Sequence, residues 1–236
     1  MNVALILAGG TGIRLGGDIP KQYIEVDGKP IISYCLGSLS THPMVDAVQV
    51  VADSSWHTYI QQWIESESMA AKWKGFSEPG DNRQLSIFNG LEDILQYASA
   101  EDLVIVHDGA RPLLTHDLIT SCLISAREHD GAIPVLPMKD TVYFSQDGSK
   151  VSSLVNRSSI FAGQAPEVFR LGKYYEVNKM LLPEKILHIN GSTEPAILAG
   201  MDIVMINGDE ENFKITTAED LARFKQKIGT WNGGSG

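Results

Sequence analysis

Residues 3–17 read VALILAGGTGIRLGG, and this stretch decides the fold because an apolar run passes directly into a glycine-rich loop. A short apolar run without alternation is typical of a strand buried on both faces of a sheet. Four similar runs occur at residues 47–52, 103–107, 131–136 and 203–206. Amphipathic stretches that we predict to be helices alternate with them, at residues 31–40, 56–67, 83–97, 116–129 and 217–228. This alternation predicts an α/β fold with a largely parallel sheet.

The glycine-rich loop carries two cations, Arg14 within it and Lys21 just after it. Glycines let a backbone approach phosphates and point N–H groups at them, and the two cations supply charge that suits a triphosphate. The P-loop pattern GxxxxGK[ST] is absent, and a dinucleotide pattern GxGxxG that starts at Gly10 fails at Leu15. We therefore predict a nucleotide phosphate site here. The plainer alternative is a tight glycine turn with surface charges.

Two further motifs place polar groups at the ends of predicted elements. In VIVHDGARP an apolar strand ends in Asp108, at the edge of a parallel sheet where ligands bind and where a carboxylate suits Mg²⁺. In GDNR, which begins at Gly80, a helix N-terminus presents free N–H groups to a nucleobase carbonyl or a phosphate. The alternatives are that Asp108 caps a turn or helix and that Asp81 caps the helix that follows.

Two cations are weaker candidates on their own. Lys214 lies in ENFKITT, where a short strand leads into a helix start, and Arg157 lies in VNRS. Exposed cations are mostly solvated, so neither motif indicates a site without the others.

Residues 140–155 read DTVYFSQDGSKVSSLV, with apolar positions that alternate around Asp147-Gly148. The Asp-Gly pair predicts a β-hairpin. Such a hairpin inserted in an α/β domain is either an arm that packs on a neighbouring subunit or an ordinary surface excursion.

Composition narrows the classes of partner. Nineteen basic and 29 acidic side chains give a net charge of −10, which argues against nucleic acid or an anionic membrane as the main partner. The two cysteines, Cys35 and Cys122, form no metal or disulfide pattern. The apolar run at the N-terminus is too short to span a membrane and lacks a signal-peptide n-region, so we expect a cytoplasmic protein. We expect one domain over residues 1–228 and a flexible tail at 229–236.

Taken in order, LILAGGTGIRLGG–PKQY, GDNRQLSIFNGL, VHDGARP, PMKDTVY, VNRSSIFAGQAPEVF and NFKITTAEDL resemble the cytidylyltransferases that act on 2-C-methyl-D-erythritol 4-phosphate and on D-ribitol 5-phosphate. The likeness covers about residues 3–225. It implies a doubly wound, Rossmann-like nucleotidyltransferase fold with a mostly parallel sheet and a protruding β-arm. It also implies a homodimer that depends on Mg²⁺ and joins CTP to a small polyol phosphate.

The resemblance assigns a role to each matching residue. The catalytic residues would be Arg14 and Lys21 on the CTP phosphates, Lys214 at the α-phosphate, and Arg157 reaching in from the partner's arm. The nucleotide-binding residues would be Ala8, Gly9, Gly10, Gly12, Gly80, Asp81 and Ser86. The polyol phosphate would be held by Arg111, Asp140 and Thr141. The metal ligands would be Asp108 and, as a second carboxylate, Glu211.

The chain departs from the family pattern at several positions. Ala165 and Glu167 stand in GQAPEVF where the family has a hydroxyl and an amide, and residues 190–193 read NGST where it has a TDDA-like segment. Tyr143 stands where the erythritol enzymes tend to carry Lys, and Glu211 is longer than the family's Asp. Because all but one of these changes lie on the polyol side, the resemblance supports the reaction type more firmly than the acceptor. The stretches LILAGG, RPLLTHDLI and ILAGMDIVMINGDEENFKITT resemble the ribitol enzymes more closely, so we expect ribitol 5-phosphate as the acceptor. The alternative is the methylerythritol phosphate enzyme of isoprenoid synthesis.

Three other classes of function are weighed against this one. The first is a nucleotide-binding regulator without catalysis, and the second is a pyrophosphorylase that joins another nucleoside triphosphate to a hexose 1-phosphate. The third, an NAD-dependent oxidoreductase, is disfavoured by Leu15 and Lys21 in the loop.

Overall fold

The computed structural model describes residues 1–10, 19–66 and 69–231. Strands in this part of the chain are β1 Asn2–Leu7, β2 Glu25–Val26, β3 Lys29–Pro30, β4 Ala47–Val51, β5 Trp73–Ser77, β6 Leu103–Asp108, β7 Gly131–Pro137, β8 Val142–Phe144, β9 Ser153–Val155, β10 Phe161–Gly163, β11 Glu167–Arg170 and β12 Ile203–Asn207. Helices are α1 Ile31–Thr41, α2 His57–Ser66, α3 Arg83–Ile94, α4 His116–Ser125, α5 Leu171–Lys179, α6 Glu194–Leu198 and α7 Ala218–Trp231.

The described residues form an eight-stranded sheet. Seven of its strands pair in the order β10-β7-β11-β6-β1-β4-β5, and the eighth, β12, pairs with β7 outside this order. β1 pairs in parallel with β4 and β6, β4 with β5, and β7 with β12. β11 lies between β6 and β7 and is antiparallel to both. The predicted mostly parallel sheet is therefore confirmed, with β10 and β11 as antiparallel additions that the sequence did not predict.

Helices cover both faces of this sheet, as a doubly wound fold requires. Ala4 and Ile6 of β1 belong to a buried cluster formed with α1, α2 and α4. The alternate residues Val3 and Leu5 belong to a second cluster, formed with α3 and α5. Because successive side chains of a strand point to opposite faces, one apolar strand supplies both cores.

Elements missed from the sequence are short or rich in polar residues. β5 reads WKGFS and α5 reads LGKYYEVNK, and neither shows a continuous apolar run. α3 ends at Ile94 and α4 at Ser125, before their predicted ends at residues 97 and 129. α7 runs to Trp231, past the predicted end at residue 228.

The predicted hairpin is confirmed as a two-stranded sheet separate from the main one. Val142 pairs with Val155 and Phe144 with Ser153, and Gly148 in the turn has a positive φ of 73°. The Asp147 carboxylate accepts the backbone N–H of Ser149 at 2.8 Å and that of Lys150 at 3.0 Å. Apolar side chains along the hairpin are exposed, among them Tyr143, Phe144, Val151 and Leu154.

The membrane question has a direct structural answer for the described residues. Their helices include none with the length and apolar character needed to cross a bilayer.

Gly131 provides a test of the packing around the antiparallel insertion. A Cβ at this position would lie 2.5 Å from the backbone oxygen of Val168 on β11 and 2.9 Å from Ile203 on β12. We expect Gly131→Ala to lower the free energy of unfolding by about 1–3 kcal/mol, because strand backbone must shift. Urea denaturation measures this change.

The matched control is Gly229→Ala on α7, where an added Cβ meets nothing within 4 Å. It should leave stability unchanged or raise it by up to about 1 kcal/mol, since alanine favours a helix over glycine. Equal stability of Gly131→Ala and the unaltered chain would contradict the packing described here.

Candidate active site

Asp108 lies at the end of β6, where the carboxyl ends of the parallel strands meet. It is the register partner of Leu7, the last residue of β1. The backbone N–H of Gly109 donates to Leu7 O at 2.9 Å, and that of Ala8 donates to Val51 O at 2.8 Å. The chain leaving β6 is therefore held against the start of the glycine-rich loop.

Three cations surround the Asp108 carboxylate. Arg83 Nη2 lies 3.1 Å from Oδ1, while Lys214 Nζ lies 3.1 Å and Arg111 Nε 3.3 Å from Oδ2. Asp108 is only 7% exposed, so these contacts are weakly screened by solvent. The motifs VIVHDGARP, GDNR and ENFKITT, which are far apart in the sequence, thus meet at one carboxylate.

Backbone contacts fix two of these cations from behind. Arg111 N donates to Asp108 O at 3.0 Å in a tight turn, and Arg111 Nη1 donates to Asn212 O at 2.7 Å. Ile215 N donates to Ala110 O at 2.9 Å, which brings the neighbouring Lys214 to the same turn. The arrangement is therefore built by the fold rather than by flexible side chains alone.

The electrostatics of the cluster favour the ionised acid. Burial alone would raise the pKa of Asp108, but Arg83, Lys214 and Arg111 hold it well below its usual range. Arg83 is affected in the opposite sense: burial opposes its charge, while Asp108 and Glu167 raise its pKa. The pKa shifts of Asp108 and Arg83 therefore both favour the charged forms, and a group of cations at this edge suits an anion or a metal-bound anion.

The first motif is held by a buried glutamine. Gln22 Nε2 donates to Ala8 O at 2.6 Å and to Gly10 O at 2.7 Å, and Tyr23 OH donates to Ala8 O at 3.0 Å. Lys21, which begins the short 3₁₀ turn Lys21–Tyr23, is thereby placed beside the loop. Arg14 and Gly12 lie outside the described residues.

The segment that leads into the GDNR motif packs directly on the start of the glycine-rich loop. A Cβ on Gly9 would lie 2.5 Å from Cβ of Pro79, so only glycine permits this approach of the two loops. Gly80 N donates to Ser86 Oγ at 3.0 Å, which folds the segment back onto the first turn of α3. Ala8, Gly9, Gly80 and Ser86 are therefore neighbours, as the resemblance implies.

The helix cap of α3 is Asn82, not Asp81. The Asn82 side chain accepts the backbone N–H of Leu85 at 2.8 Å. Asp81 itself is exposed beside Gly80. The interpretation of Asp81 as a plain helix cap is therefore wrong.

A second buried acid lies behind the cluster. Glu167 Oε1 is 3.9 Å from Arg83 Nη2, and Oε2 accepts the hydroxyl of Thr193 at 2.6 Å. Ser192 Oγ also donates to Oε1. Burial raises the pKa of Glu167, whereas Arg83 and the two hydroxyls oppose this rise. Two positions at which the chain departs from the family pattern, Glu167 and residues 190–193, are thus in contact with each other.

Some predicted site residues lie elsewhere within the chain. Glu211 pairs with Arg223, at 3.3 Å, and with Lys227, both on α7, and lines a cavity of about 460 Å³ beside Ile228. The ion pairs of Glu211 among the described residues thus go to α7 and not to the Asp108 cluster. Its assignment as a metal ligand stays a prediction without support from this geometry.

The predicted acceptor residues next to the hairpin are exposed, and the side-chain contact seen for Arg157 is with Lys139 and not with the Asp108 cluster. Asp140 and Thr141 are exposed at the base of the hairpin. Arg157 follows β9, is also exposed, and donates from Nη1 to Lys139 O at 2.6 Å. Their predicted roles stay untested by the contacts of a single chain.

Sequence reasoning missed Arg83 and Gln22. Arg83 is the first residue of α3, where a cation opposes the helix macrodipole, and this conflict was the available signal of a role outside the helix. No comparable signal marks Gln22, because a polar residue next to a charged loop is ordinarily exposed.

Comparison with known proteins fits this geometry. The family model described as "IspD: 2-C-methyl-D-erythritol 4-phosphate cytidylyltransferase" matches residues 2–228. The chain belongs to this family. Membership makes it a nucleotidyltransferase, which confirms the expectation from the resemblance.

Relatives within the cytidylyltransferase family carry two different names. A ribitol-5-phosphate cytidylyltransferase of Streptococcus agalactiae is 34% identical over 226 residues, which cover 95% of this chain and 94% of the relative. A 2-C-methyl-D-erythritol 4-phosphate cytidylyltransferase of Geobacter metallireducens is 33% identical over 232 residues, which cover 95% and 98%. Both acceptors considered from the sequence are therefore represented among similar proteins.

Solved structures of the cytidylyltransferase family confirm the fold. A 4-diphosphocytidyl-2C-methyl-D-erythritol synthase from Anaerococcus prevotii superposes with a TM-score of 0.82 at 24% identity, over 97% of this chain and 96% of that chain. At this identity the likeness speaks for the fold alone.

The depressed pKa of Asp108 predicts how stability depends on pH. Because the folded-state pKa is lowered, the stabilisation is present above the unfolded value of about 3.9 and is lost as the pH falls toward the folded value. Asp108→Asn should therefore be less stable than the unaltered chain at pH 7, by about 1–3 kcal/mol. The gap should begin to narrow below about pH 5.

Urea denaturation of both proteins between pH 7 and pH 3 measures this gap, and other titrating groups cancel in the difference. A gap that stays constant down to pH 3 would mean that the three cations do not hold the carboxylate ionised.

Proposed function

We propose that this chain transfers CMP from CTP to a small polyol phosphate, with ribitol 5-phosphate as the favoured acceptor, to give a CDP-alditol and pyrophosphate. The observation that carries the proposal is the Asp108 carboxylate with Arg83, Arg111 and Lys214 around it, at the sheet edge where the glycine-rich loop begins. Ligands of open parallel sheets bind at this edge. The alternative acceptor is 2-C-methyl-D-erythritol 4-phosphate.

The proposal of CTP as the donor rests on the contact between the glycine-rich loop and the segment around the GDNR motif. The Gly9–Pro79 approach places the backbone of residues 8–10 beside Gly80, Asp81 and Ser86. Backbone groups at such a junction suit the edge of a cytosine ring, while Lys21 and Arg14 suit the triphosphate. This segment keeps the family pattern, which supports CTP as the donor.

The preference for ribitol 5-phosphate rests on the acceptor side. Tyr143 replaces the Lys that the erythritol enzymes tend to carry, and Ala165 lacks the hydroxyl of the family pattern. The sequences around residues 112–119 and 197–217 also resemble those of the ribitol enzymes more closely. The Streptococcus agalactiae relative bears that name.

Magnesium fits the donor set at Asp108. The described residues contain no cluster of three or more acidic, histidine or cysteine side chains able to enclose a metal ion. Mg²⁺ needs no such cage, because it is held by one or two carboxylates together with substrate phosphates and waters. Asp108 would hold it, and it would supply charge neutralisation on the phosphate oxygens.

The proposed reaction forms one P–O bond and breaks another. A phosphate oxygen of the acceptor attacks the α-phosphorus of CTP, and the bond from that phosphorus to the bridging oxygen of the β-phosphate breaks, so that pyrophosphate leaves. The attacking phosphate is already an anion near pH 7, so the protein needs no strong general base. Its contribution is therefore positioning and charge neutralisation.

The cations of the site divide this work. Lys214 lies on Asp108 and neutralises charge at the α-phosphate, while Lys21 and Arg14 stabilise the departing pyrophosphate. Arg111 is held by Asn212 O, and it faces the acceptor as a fixed cation. A pair of approaching phosphates repel one another, and these charges offset that repulsion.

The acceptor site is completed by a second subunit in this proposal. Arg157, Asp140 and Thr141 lie on or next to the hairpin, outside the Asp108 cluster of their own chain. The exposed apolar side chains of the hairpin, such as Phe144 and Leu154, favour packing against another chain. We therefore infer a homodimer that acts in the cytoplasm, where CTP is available.

Activity is tested by pyrophosphate release with CTP, using ribitol 5-phosphate and methylerythritol phosphate as parallel acceptors. We expect release with both nucleotide and acceptor present, with the higher kcat/KM for ribitol 5-phosphate. Arg14→Ala, Lys21→Ala and Lys214→Ala should each lower turnover by about 10²-fold or more, because each removes charge stabilisation.

Lys139→Ala on the exposed surface is a control for loss of a cation near the hairpin and should retain most of the activity. CTP binding without pyrophosphate release for any acceptor would instead indicate a regulator, and a preference for UTP or dTTP would indicate a hexose 1-phosphate enzyme.

Subunit complementation tests the source of Arg157. Arg157→Ala and Lys214→Ala should each be nearly inactive as homodimers. In a mixed dimer, one site has Lys214 from its own chain and Arg157 from the partner, so mixing with subunit exchange should restore about a quarter of normal activity.

If Arg157 serves its own chain, every site in the mixture lacks one of the two cations. No recovery after verified subunit exchange would therefore refute the shared site.

A further inference from the structure

The Arg83 guanidinium lies between two buried acids. Its Nη2 atom is 3.1 Å from Asp108 Oδ1 and 3.9 Å from Glu167 Oε1. Asp108 has two other cations in contact, Arg111 and Lys214. The ion pair that Glu167 makes among the described residues is the one with Arg83. The two acids therefore compete unequally for one guanidinium.

Glu167 is held by several contacts, while the Arg83 side chain is more exposed to solvent. Glu167 begins β11, where it is the register partner of Val106, and its oxygens accept the hydroxyls of Ser192 and Thr193. The Ser192 backbone is held in turn, because its carbonyl accepts the hydroxyl of the fully buried Tyr174 at 2.6 Å. The Arg83 side chain is 34% exposed, against 10% for that of Glu167.

Metal binding changes the balance at Asp108. A divalent cation that takes a carboxylate oxygen replaces the cations already on it, since like charges at one oxygen repel strongly in a buried site. Oδ2 is shared by Lys214 and Arg111, and Oδ1 is taken by Arg83 from two nitrogens, Nη2 and Nε. Freeing Oδ1 leaves Arg83 in need of another acid, and Glu167 is the acid within reach.

We propose that Glu167 is a positioning residue that receives the Arg83 guanidinium from Asp108 when Asp108 binds the metal–nucleotide. By holding Arg83 off Oδ1, Glu167 lowers the free-energy cost of metal binding without touching the metal or the substrate. This inference rests on the proposed function for the identity of the metal–nucleotide. It also explains why this chain has an acid at Glu167, a position where the family pattern has an amide.

The test is a double-mutant cycle on metal binding, measured with Mn²⁺ by electron paramagnetic resonance, with and without CTP and with no acceptor present. Glu167→Gln removes the charge and keeps the shape, and its amide still bonds to the hydroxyls of Ser192 and Thr193. We expect it to weaken Mn²⁺ binding by about tenfold in the otherwise unaltered chain. In an Arg83→Gln background the same change should have little effect, because there is no guanidinium to hand over.

Two controls separate this role from general effects. Glu92→Gln removes one exposed acid from α3, the same helix as Arg83, and should leave Mn²⁺ affinity unchanged. Glu167→Asp keeps the charge but draws the carboxylate back from Arg83. It should weaken Mn²⁺ binding by less than Glu167→Gln does. If Glu167→Gln does not fold, Glu167→Asp provides the test of Glu167 in its place.

Two results would overturn the inference. Unchanged Mn²⁺ affinity in both Glu167 variants would show that Arg83 needs no second acid. An equal loss in the Arg83→Gln background would show that Glu167 acts on the metal directly by its charge. Failure of the proposed function is separate, because it is judged by pyrophosphate release: an enzyme that releases pyrophosphate but shows no coupling refutes the handover alone.

Discussion

The attraction between the Asp108 carboxylate and its three cations is the interaction on which the rest of the site depends. Arg83 begins α3, Arg111 follows β6, and Lys214 precedes α7, so segments far apart in the chain meet at one acid. Without that acid, three positive charges would face each other in a poorly solvated place and would repel. The fold can therefore hold three cations close together without a bound anion, because the carboxylate offsets their charge.

The same arrangement creates a conflict that function must resolve. A carboxylate that neutralises the cations in the free protein is the same group that must bind the metal–nucleotide in the proposed reaction. In the proposed reaction the triphosphate would compensate the charges of Lys214 and Arg111, because it carries more negative charge than the carboxylate. Arg83, at the start of α3, also lies 3.9 Å from Glu167, so the protein itself can compensate its charge. Glu167 sits where that compensation is needed.

Much of the fold was predictable because the buried parallel strands are continuous apolar runs and their helices are amphipathic. β10 and β11 were not predictable, since they are short and antiparallel and their pairing with β6 and β7 is set by tertiary contacts. In the site, Asp108 followed from its motif at the end of a strand, whereas Lys214 was singled out by the resemblance. The proximity of Glu167 to Arg83 did not follow, because residues so distant in sequence meet only through the register of β11 on β6. The ion pairs of Glu211 were unpredictable for the same reason: its sequence position near Lys214 says nothing about the α7 cations that it pairs with.

The contrast between the two halves of the site explains why the reaction is clearer than the acceptor. The nucleotide half is built from tight backbone contacts, in which Gly9 against Pro79 leaves no space for any side chain. Such contacts tolerate little change, and this part keeps the family pattern. The proposed acceptor half consists of exposed side chains, Asp140, Thr141 and Arg157, on or next to the hairpin. Their positions relative to Asp108 are set by how two chains pack in the proposed dimer, so a change in that packing alters the acceptor site while the chemistry at the sheet edge is preserved. One catalytic core can in this way serve different polyol phosphates.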